Sequence, residues 1–434
     1  MIYFTGESML KNKLIRGTFI LTLTGLATRF MGFFFRMFLS HTFGAEQVGL
    51  YQLIFPVYGL CFSLSCAGIE TSLSRCVAQK ISLGQKNQAE QLLFQALTLS
   101  LTLSLILAII VHRLTPWLST FIFQDSRCEP LLSALVYALP FASIHSCIVG
   151  YYLGQRQTKI PAISQLLEQL GRIGAVYIIY QICLNTHSDY SIVIAVIGIT
   201  LGEILATLYC LRFVPITPCF QLSHLKELSN LAIPLTSNRV LMNILQSIET
   251  ISIPICLQRY GYSAENALSV YGVLTGMALP CIFFPTALTS SASTMLLPTV
   301  ADMQVAEDHK HLHSLIQKVI YFGLSLGGIC GVVFFVLGPW IGNMLFNNEL
   351  AGGFLRILAW ICPFMYMNTT LMSMLNGLGK ATKTLVISIC SLIIRISSVW
   401  FGIPAFGMQG YLWGLLVSQL VTSGLCVWVL IVSF

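Results

Sequence analysis

Long apolar runs decide what this chain can fold into. They fall near residues 14–40, 47–75, 89–112, 130–152, 161–183 and 190–211, and again near 229–257, 268–300, 314–338, 350–375, 384–403 and 409–432. Crossing about 30 Å of hydrocarbon as an α-helix takes roughly 20 residues, and the runs are of that order. In lipid each backbone N–H and C=O must be satisfied within the segment, so these runs are expected to be helices. Composition agrees: 56% of residues are hydrophobic and 9% charged, where a soluble domain carries about 25% charged. The expected fold class is an all-α polytopic membrane protein with twelve spans. The first run continues into a charged helix without a small-residue cleavage site, so it is expected to stay as a span.

Basic residues set the orientation. Lys11, Lys13, Lys80, Lys86, Arg156, Lys159, Lys226, Lys310, Lys318, Lys380 and Lys383 precede the first span or fall at connections from even to odd spans. The opposite connections hold Arg113, Arg127 and Arg259, accompanied by Asp125, Glu129 and Glu265. By the positive-inside rule both termini are expected in the cytoplasm.

The two halves repeat. "LTPWLSTFIF" from Leu114 and "LGPWIGNMLF" from Leu337 lie 223 positions apart. The same offset pairs Pro140-Phe141 with Pro363-Phe364, Gly154 with Gly377, and Arg172-Ile173 with Arg395-Ile396. Apolar composition matches leucines by chance, but not Pro-Trp, Pro-Phe, Gly and Arg in one register. A repeat of six spans inserts both halves the same way up. The expectation is two six-helix lobes, 1–216 and 217–434, related by a pseudo-two-fold along the membrane normal, with a substrate site between them near mid-bilayer.

A charge at the bilayer centre costs about 2.5–3.5 kcal/mol, so charges kept inside spans point to function. In the first span, "GLATRFMGFFFRMFLSHTFG", Thr22, Arg29 and Arg36 recur every second helical turn and line one stripe, with Gly25 and Gly32 beside it. In the seventh, "NRVLMNILQSIE" places Arg239, Asn243, Gln246 and Glu249 on one face. The two stripes are expected to face each other across a central cleft. Arg16, near the inner surface, reads as snorkelling. Glu168 and Arg172, spaced i,i+4 in the favourable order, read as a structural pair. Arg395 has Ser391 in the glutamate's place and lacks that local partner. Span 2 carries Glu70 and Arg75 in "SCAGIETSLSRC", and span 8 carries Pro280, Pro285 and "TSSASTMLLP". Such stretches serve equally as hinges or as kinks in rigid helices.

Some chemistry is missing. The four aspartates, Asp125, Asp189, Asp302 and Asp308, all lie outside the spans, so no carboxylate cluster is expected to hold Mg²⁺ for an enzyme acting on lipid diphosphates. "GLGKAT" from Gly377 lacks phosphate-loop spacing and reads as a short cytoplasmic turn. The eight histidines form no ligand pattern, and "HKHLH" at 309–313 reads as a solvated loop. Fourteen cysteines without a CxxC read as small apolar filler. No metal, cofactor or nucleic-acid partner is expected, and transport would be passive or gradient-coupled.

Four stretches carry a resemblance: "TRFMGFFFRMFLSHTFGAEQVGLYQL", "PAISQLLEQLGRI", "YGVLTGMALP" followed by "LLPTVAD", and "LNGLGKATKTLVISICSLIIRI". They resemble the stage V sporulation protein B group of polysaccharide-lipid flippases, over nearly the whole chain. The wider superfamily includes lipid II flippases, O-antigen-type exporters and the multidrug and toxic compound extrusion transporters. The resemblance implies a bacterial inner-membrane protein working by alternating access, and not an enzyme. Relatives in the group commonly have fourteen spans, and the two beyond twelve help lipid II flippases to house the lipid tail. Arg29 and Arg36 match first-span arginines that lipid II flippases turn toward the substrate diphosphate; Arg239 and Glu249 match in position only.

The function expected on these grounds is outward flipping of an undecaprenyl-diphosphate-linked sugar, a peptidoglycan precursor for spore cortex. Arg29, Arg36, Arg239, Asn243 and Gln246 would bind it, with membrane lipids around its tail and cell-wall synthesis enzymes as partners. Coupling to Na⁺ or H⁺ would use Glu249, Glu70 or Glu203, unless the membrane potential alone suffices. One alternative is a cation-coupled multidrug exporter of the same superfamily, which an arginine-lined cleft disfavours. Another is a non-transporting scaffold for wall-synthesis enzymes, which leaves the polar stripes unexplained.

Overall fold

A computed structural model of the chain describes residues 2–215, 222–290, 293, 296, 300, 303 and 309–432, with side chains described except at 2–16, 18, 222–224, 309 and 310. The expected lobe boundary at 216/217, Asp302, Asp308 and most of "TSSASTMLLP" lie outside the described residues, as do the side chains of Lys11, Lys13, Arg16, His309 and Lys310.

Among the described residues the regular structure is helical throughout, without a strand. The first half forms α1 (Ile2–Leu53), α2 (Phe55–Phe62), α3 (Gly68–Ser82), α4 (Lys86–Trp117), α5 (Cys128–Val136), α6 (Ala138–Gly154), α7 (Lys159–Asn185) and α8 (Val193–Leu211). The second forms α9 (Leu222–Tyr260), α10 (Ala264–Gly272), α11 (Leu279–Phe283), α12 (His309–Phe346), α13 (Glu349–Leu358), α14 (Cys362–Gly377), α15 (Ala381–Ser397), α16 (Ile403–Phe406) and α17 (Met408–Ile431).

Ten helical stretches among the described residues are long and apolar enough to cross a membrane, against twelve expected from the apolar runs. The difference has a physical origin. Phe19–Ser82 runs for 64 residues without a loop, length enough for two crossings. Helix α7 has 27 residues, but Gln165, Glu168, Gln169 and Arg172 dilute its hydropathy. Both crossings are present as helices.

The long first stretch breaks at Gly44, with φ 79° and ψ 169°. An L side chain is strained there by about 1–3 kcal/mol, although the space around the position is open. Gly44→Ala is therefore expected to lower the thermal stability of the detergent-solubilised protein by about that amount, while Gly25→Ala, in ordinary helix, gains up to about 1 kcal/mol from propensity.

Pairs related by the 223-residue offset occupy matching places. Pro116 lies near the end of α4 and Pro339 near the end of α12. Gly154 closes α6 and Gly377 closes α14. Arg172 lies in α7 and Arg395 in α15. "GLGKAT" forms a turn, with Gly379 at φ +72° and α15 starting at Ala381.

Contacts divide the chain into two compact units, Met1–Phe35 with Leu53–Ile244, and Arg36–Gln52 with Leu245–Phe434. In the first, Ile69 and Leu73 of α3, Leu92 and Leu93 of α4, and Tyr151 of α6 share a buried core. In the second, Leu371 and Leu375 of α14, Ile387 of α15 and Val429 of α17 do the same. Large apolar side chains such as Phe19, Phe401 and Trp428 stay exposed, which suits a surface solvated by lipid. All described cysteines are free and none is exposed.

Candidate functional site

The α1 arginines lie on open surface. Thr22 is half-buried, and Arg29 and Arg36 are both exposed, as are Phe30 and Phe34 beside them. Open space surrounds Gly25, and Gly32 faces the Gln169 amide of α7, 3.6 Å from where a Cβ would sit.

The α9 stripe divides by environment. Its first part belongs to the first unit, where exposed Arg239 donates from Nη2 to Thr71 Oγ1 at 3.1 Å and half-buried Asn243 donates from Nδ2 to Ser63 Oγ. Ser63 opens a π turn, Ser63–Ala67, between α2 and α3, and such turns often mark functional positions. Gln246 is exposed, whereas Glu249, in the second unit, is 2% exposed. Glu249 Oε1 accepts from Arg395 Nε at 2.7 Å and from the Tyr411 hydroxyl at 2.7 Å. Arg395 thus has an acidic partner after all, supplied from 146 residues upstream instead of from its own helix. The spacing rule that finds i,i+4 pairs cannot see it.

A second buried charge network sits in the first unit, on α6, α7 and α8. Arg172 pairs with Glu168 along α7. On α8 Glu203, 8% exposed, lies 3.1 Å from His145 Nδ1 of α6, and His145 Nε2 lies 3.0 Å from Ser164 Oγ of α7. Nearby, Ser146 donates to Glu70 Oε2 at 2.7 Å. Glycines make the arrangement possible. A Cβ on Gly202 would sit 2.5 Å from the Glu168 carbonyl oxygen, and one on Gly198 2.3 Å from Val176 Cγ2. Without them α8 could not approach α7 closely enough to set Glu203 beside the pair. Gly202→Ala is expected to cost about 1–3 kcal/mol through overpacking, read as a drop in thermal stability.

One histidine joins a ligand-like group that the sequence reading did not expect: one ligand atom each from His145, Glu168 and Glu203 lies within 4.8 Å of the others. Linear spacing hides it because the three come from different helices. The donor set does not fit a metal ion well, since Glu168 already answers the Arg172 guanidinium and Glu203 the imidazole. The chemistry is that of a compact ion-pair network.

Ten helical stretches among the described residues, each long and apolar enough to cross a membrane, define the class as a polytopic helical membrane protein. Comparison with known proteins narrows the class. The chain belongs to the polysaccharide biosynthesis protein family, whose model matches residues 14–304. A MatE model matches 239–401. Stage V sporulation protein B of Bacillus subtilis (strain 168) is 25% identical over 417 residues, covering 93% of this chain and 80% of the relative. The lipid II flippase MurJ of the same organism is 22% identical over 422 residues, covering 89% and 77%. Among solved structures, a lipid II flippase MurJ in an inward closed conformation aligns with TM-score 0.76 at 12% identity, covering 95% of this chain and 87% of that one. A multidrug resistance MATE family transporter of the MOP superfamily, in an inward-facing conformation, aligns with TM-score 0.69 at 16% identity, covering 92% of each chain. The fold is therefore that of MOP-superfamily flippases and exporters.

Proposed function

We propose that the protein flips an undecaprenyl-diphosphate-linked sugar, a peptidoglycan precursor, from the inner to the outer leaflet of the bacterial inner membrane, with both termini in the cytoplasm. The observation that carries this reading is the pair of exposed arginines, Arg29 and Arg36, two turns apart on a membrane helix. Cations kept on a membrane helix are a mark of function, and guanidinium groups suit an anionic head group through charge-assisted, bidentate hydrogen bonds. Arg239, Asn243 and Gln246 of α9 add polar contacts, while the prenyl tail stays in lipid. The relatives named for spore formation and for lipid II flipping support the substrate class. An inside-negative potential favours outward movement of an anion by about 2.3 kcal/mol per charge per 100 mV. The protein is not an enzyme on this reading: it breaks no bond.

The test is reconstitution into vesicles with an undecaprenyl-diphosphate-linked sugar placed in the inner leaflet. Its appearance outside, accelerated by an inside-negative potential, is the expected result; no acceleration over protein-free vesicles refutes the proposal. The MatE match favours a second reading, export of organic cations coupled to an ion. In the same vesicles that reading requires uptake or efflux of a lipophilic cation dye.

A further inference from the structure

We infer that His145 holds an exchangeable proton inside the first unit, and that its gain and loss shifts the protein between transport conformations. The inference rests on the transport reading above, but its two readouts below need no sugar.

Hydrogen-bond accounting places the proton. Ser164 Oγ lies 3.0 Å from the Pro161 carbonyl oxygen. That oxygen can only accept, and the hydroxyl has a single hydrogen to give. While Pro161 takes it, Ser164 offers His145 Nε2 only lone pairs at 3.0 Å, and Nε2 carries a hydrogen. On the other side Nδ1 faces Glu203 Oε2 at 3.1 Å, and a carboxylate oxygen only accepts, so Nδ1 carries one too. An imidazole with hydrogens on both nitrogens is a cation. Writing the Nδ1 hydrogen onto Glu203 instead moves the same proton across one hydrogen bond and leaves the number of protons unchanged.

Charge balance agrees. The groups facing His145 are Glu203 of α8, Glu168 of α7 and Glu70 of α3. Arg172 of α7 pairs with Glu168, and Tyr58 of α2 adjoins the two deeper carboxylates. Ser146 holds Glu70, and Ser104 of α4 reaches only Ser143 on this side of α6. With the imidazolium in place, Glu168 and Glu203 are matched by Arg172 and His145. Without it, Glu203 loses the cation that faces it at Nδ1, which disfavours its buried charge.

The repeat supplies an internal control. Asn368 stands 223 positions after His145. It is 5% exposed, donates to the Gln419 side-chain and main-chain oxygens at 2.8 and 2.9 Å, and accepts from Ser423 at 2.8 Å. A neutral, fully satisfied amide is therefore enough to pack this position in the second unit. The first unit places a titratable ring among charges instead, at greater desolvation cost, and a ring that titrates near neutrality is the residue type for a proton switch. Its release has a defined local consequence. The Nδ1 hydrogen stays on the ring, donated to Glu203, Nε2 becomes an acceptor, and the Ser164 hydroxyl turns from Pro161 to Nε2, altering the first turn of the helix that carries Glu168 and Arg172.

The experiment uses the full chain in lipid nanodiscs with ¹⁵N-labelled histidine, titrated between about pH 5 and 9. The His145 resonance is assigned by its loss in His145→Gln. In parallel, two spin labels carried by non-canonical residues, one in each unit, report conformational populations by their distance distribution. The expected result is an imidazolium signature for His145 at neutral pH and a change in distance distribution that tracks its titration. Glu203→Gln should move the titration down by at least about one pH unit, Ser164→Ala should move it in the same direction, and His145→Gln should abolish the population shift. A His145 that is neutral across the range, or a pH-dependent population shift that is the same in wild type and His145→Gln, overturns the inference. Failure of sugar flipping in the vesicle assay would remove the substrate reading and leave both readouts intact.

Discussion

Replacing Arg29 and Arg36 together by alanine is expected to reduce outward delivery of the lipid-linked sugar by at least about 100-fold at equal expression. Hydrogen bonds to charged groups contribute about 1.5–3 kcal/mol each, so each single variant should lose about 10-fold or more. Both side chains are exposed on α1, so their removal leaves no cavity. A thermal unfolding curve for each variant that matches wild type assigns the loss to substrate and not to folding. Lysine in place of either arginine keeps the charge but not the bidentate fork, and should restore only part of the rate. Dependence on membrane potential is expected to survive in the residual activity, because it comes from the substrate's charge. Vesicle flipping with wild type and all these variants at matched density checks the series; full activity of the double variant would remove α1 from the substrate path.

The second large effect concerns stability. Glu249 is held by Arg395 and Tyr411 at 2.7 Å each, with side-chain exposure of 3% for the glutamate and 28% for Arg395. Removing one partner of a buried pair leaves the other charge uncompensated, at about 3–5 kcal/mol. Arg395→Ala should therefore destabilise the second unit by about 3 kcal/mol, toward the low end of that range because the arginine is partly exposed. Tyr411→Phe should lose about 1–2 kcal/mol. The paired change Glu249→Leu with Arg395→Met should recover most of the loss, because two apolar side chains replace the ions without stranding either. Equilibrium unfolding of the purified protein in mixed micelles gives the values. If the double variant is as unstable as the worse single one, the pair is not acting as a unit.

The helices and the 223-residue offset between matching positions were legible in the sequence because lipid leaves the backbone so few options. Apolar runs and a register of Pro, Trp, Gly and Arg could be read by counting. Glu168 with Arg172 was legible for the same reason, since both lie on one helix. What counting could not reach was any contact closed by tertiary packing. Glu249 reads as one more member of the α9 stripe, yet it turns inward to Arg395 and Tyr411 while Gln246 stays exposed. His145 reads as an isolated histidine in an apolar run, and only the close approach of α8 to α7 at Gly202 sets Glu203 and Glu168 beside it. The span count differed where helices join without a loop and where α7 is too polar to register.

The most direct test of the arginine–diphosphate claim is a binding measurement that needs no transport. Native mass spectrometry of the purified chain is run with undecaprenyl diphosphate, undecaprenyl monophosphate and neutral undecaprenol at equal concentration. Retention should fall in that order, with the Arg29→Ala, Arg36→Ala double variant losing the preference for the diphosphate while still holding the neutral lipid. Equal retention of all three lipids by the wild type, or an unchanged diphosphate preference in the double variant, would contradict it.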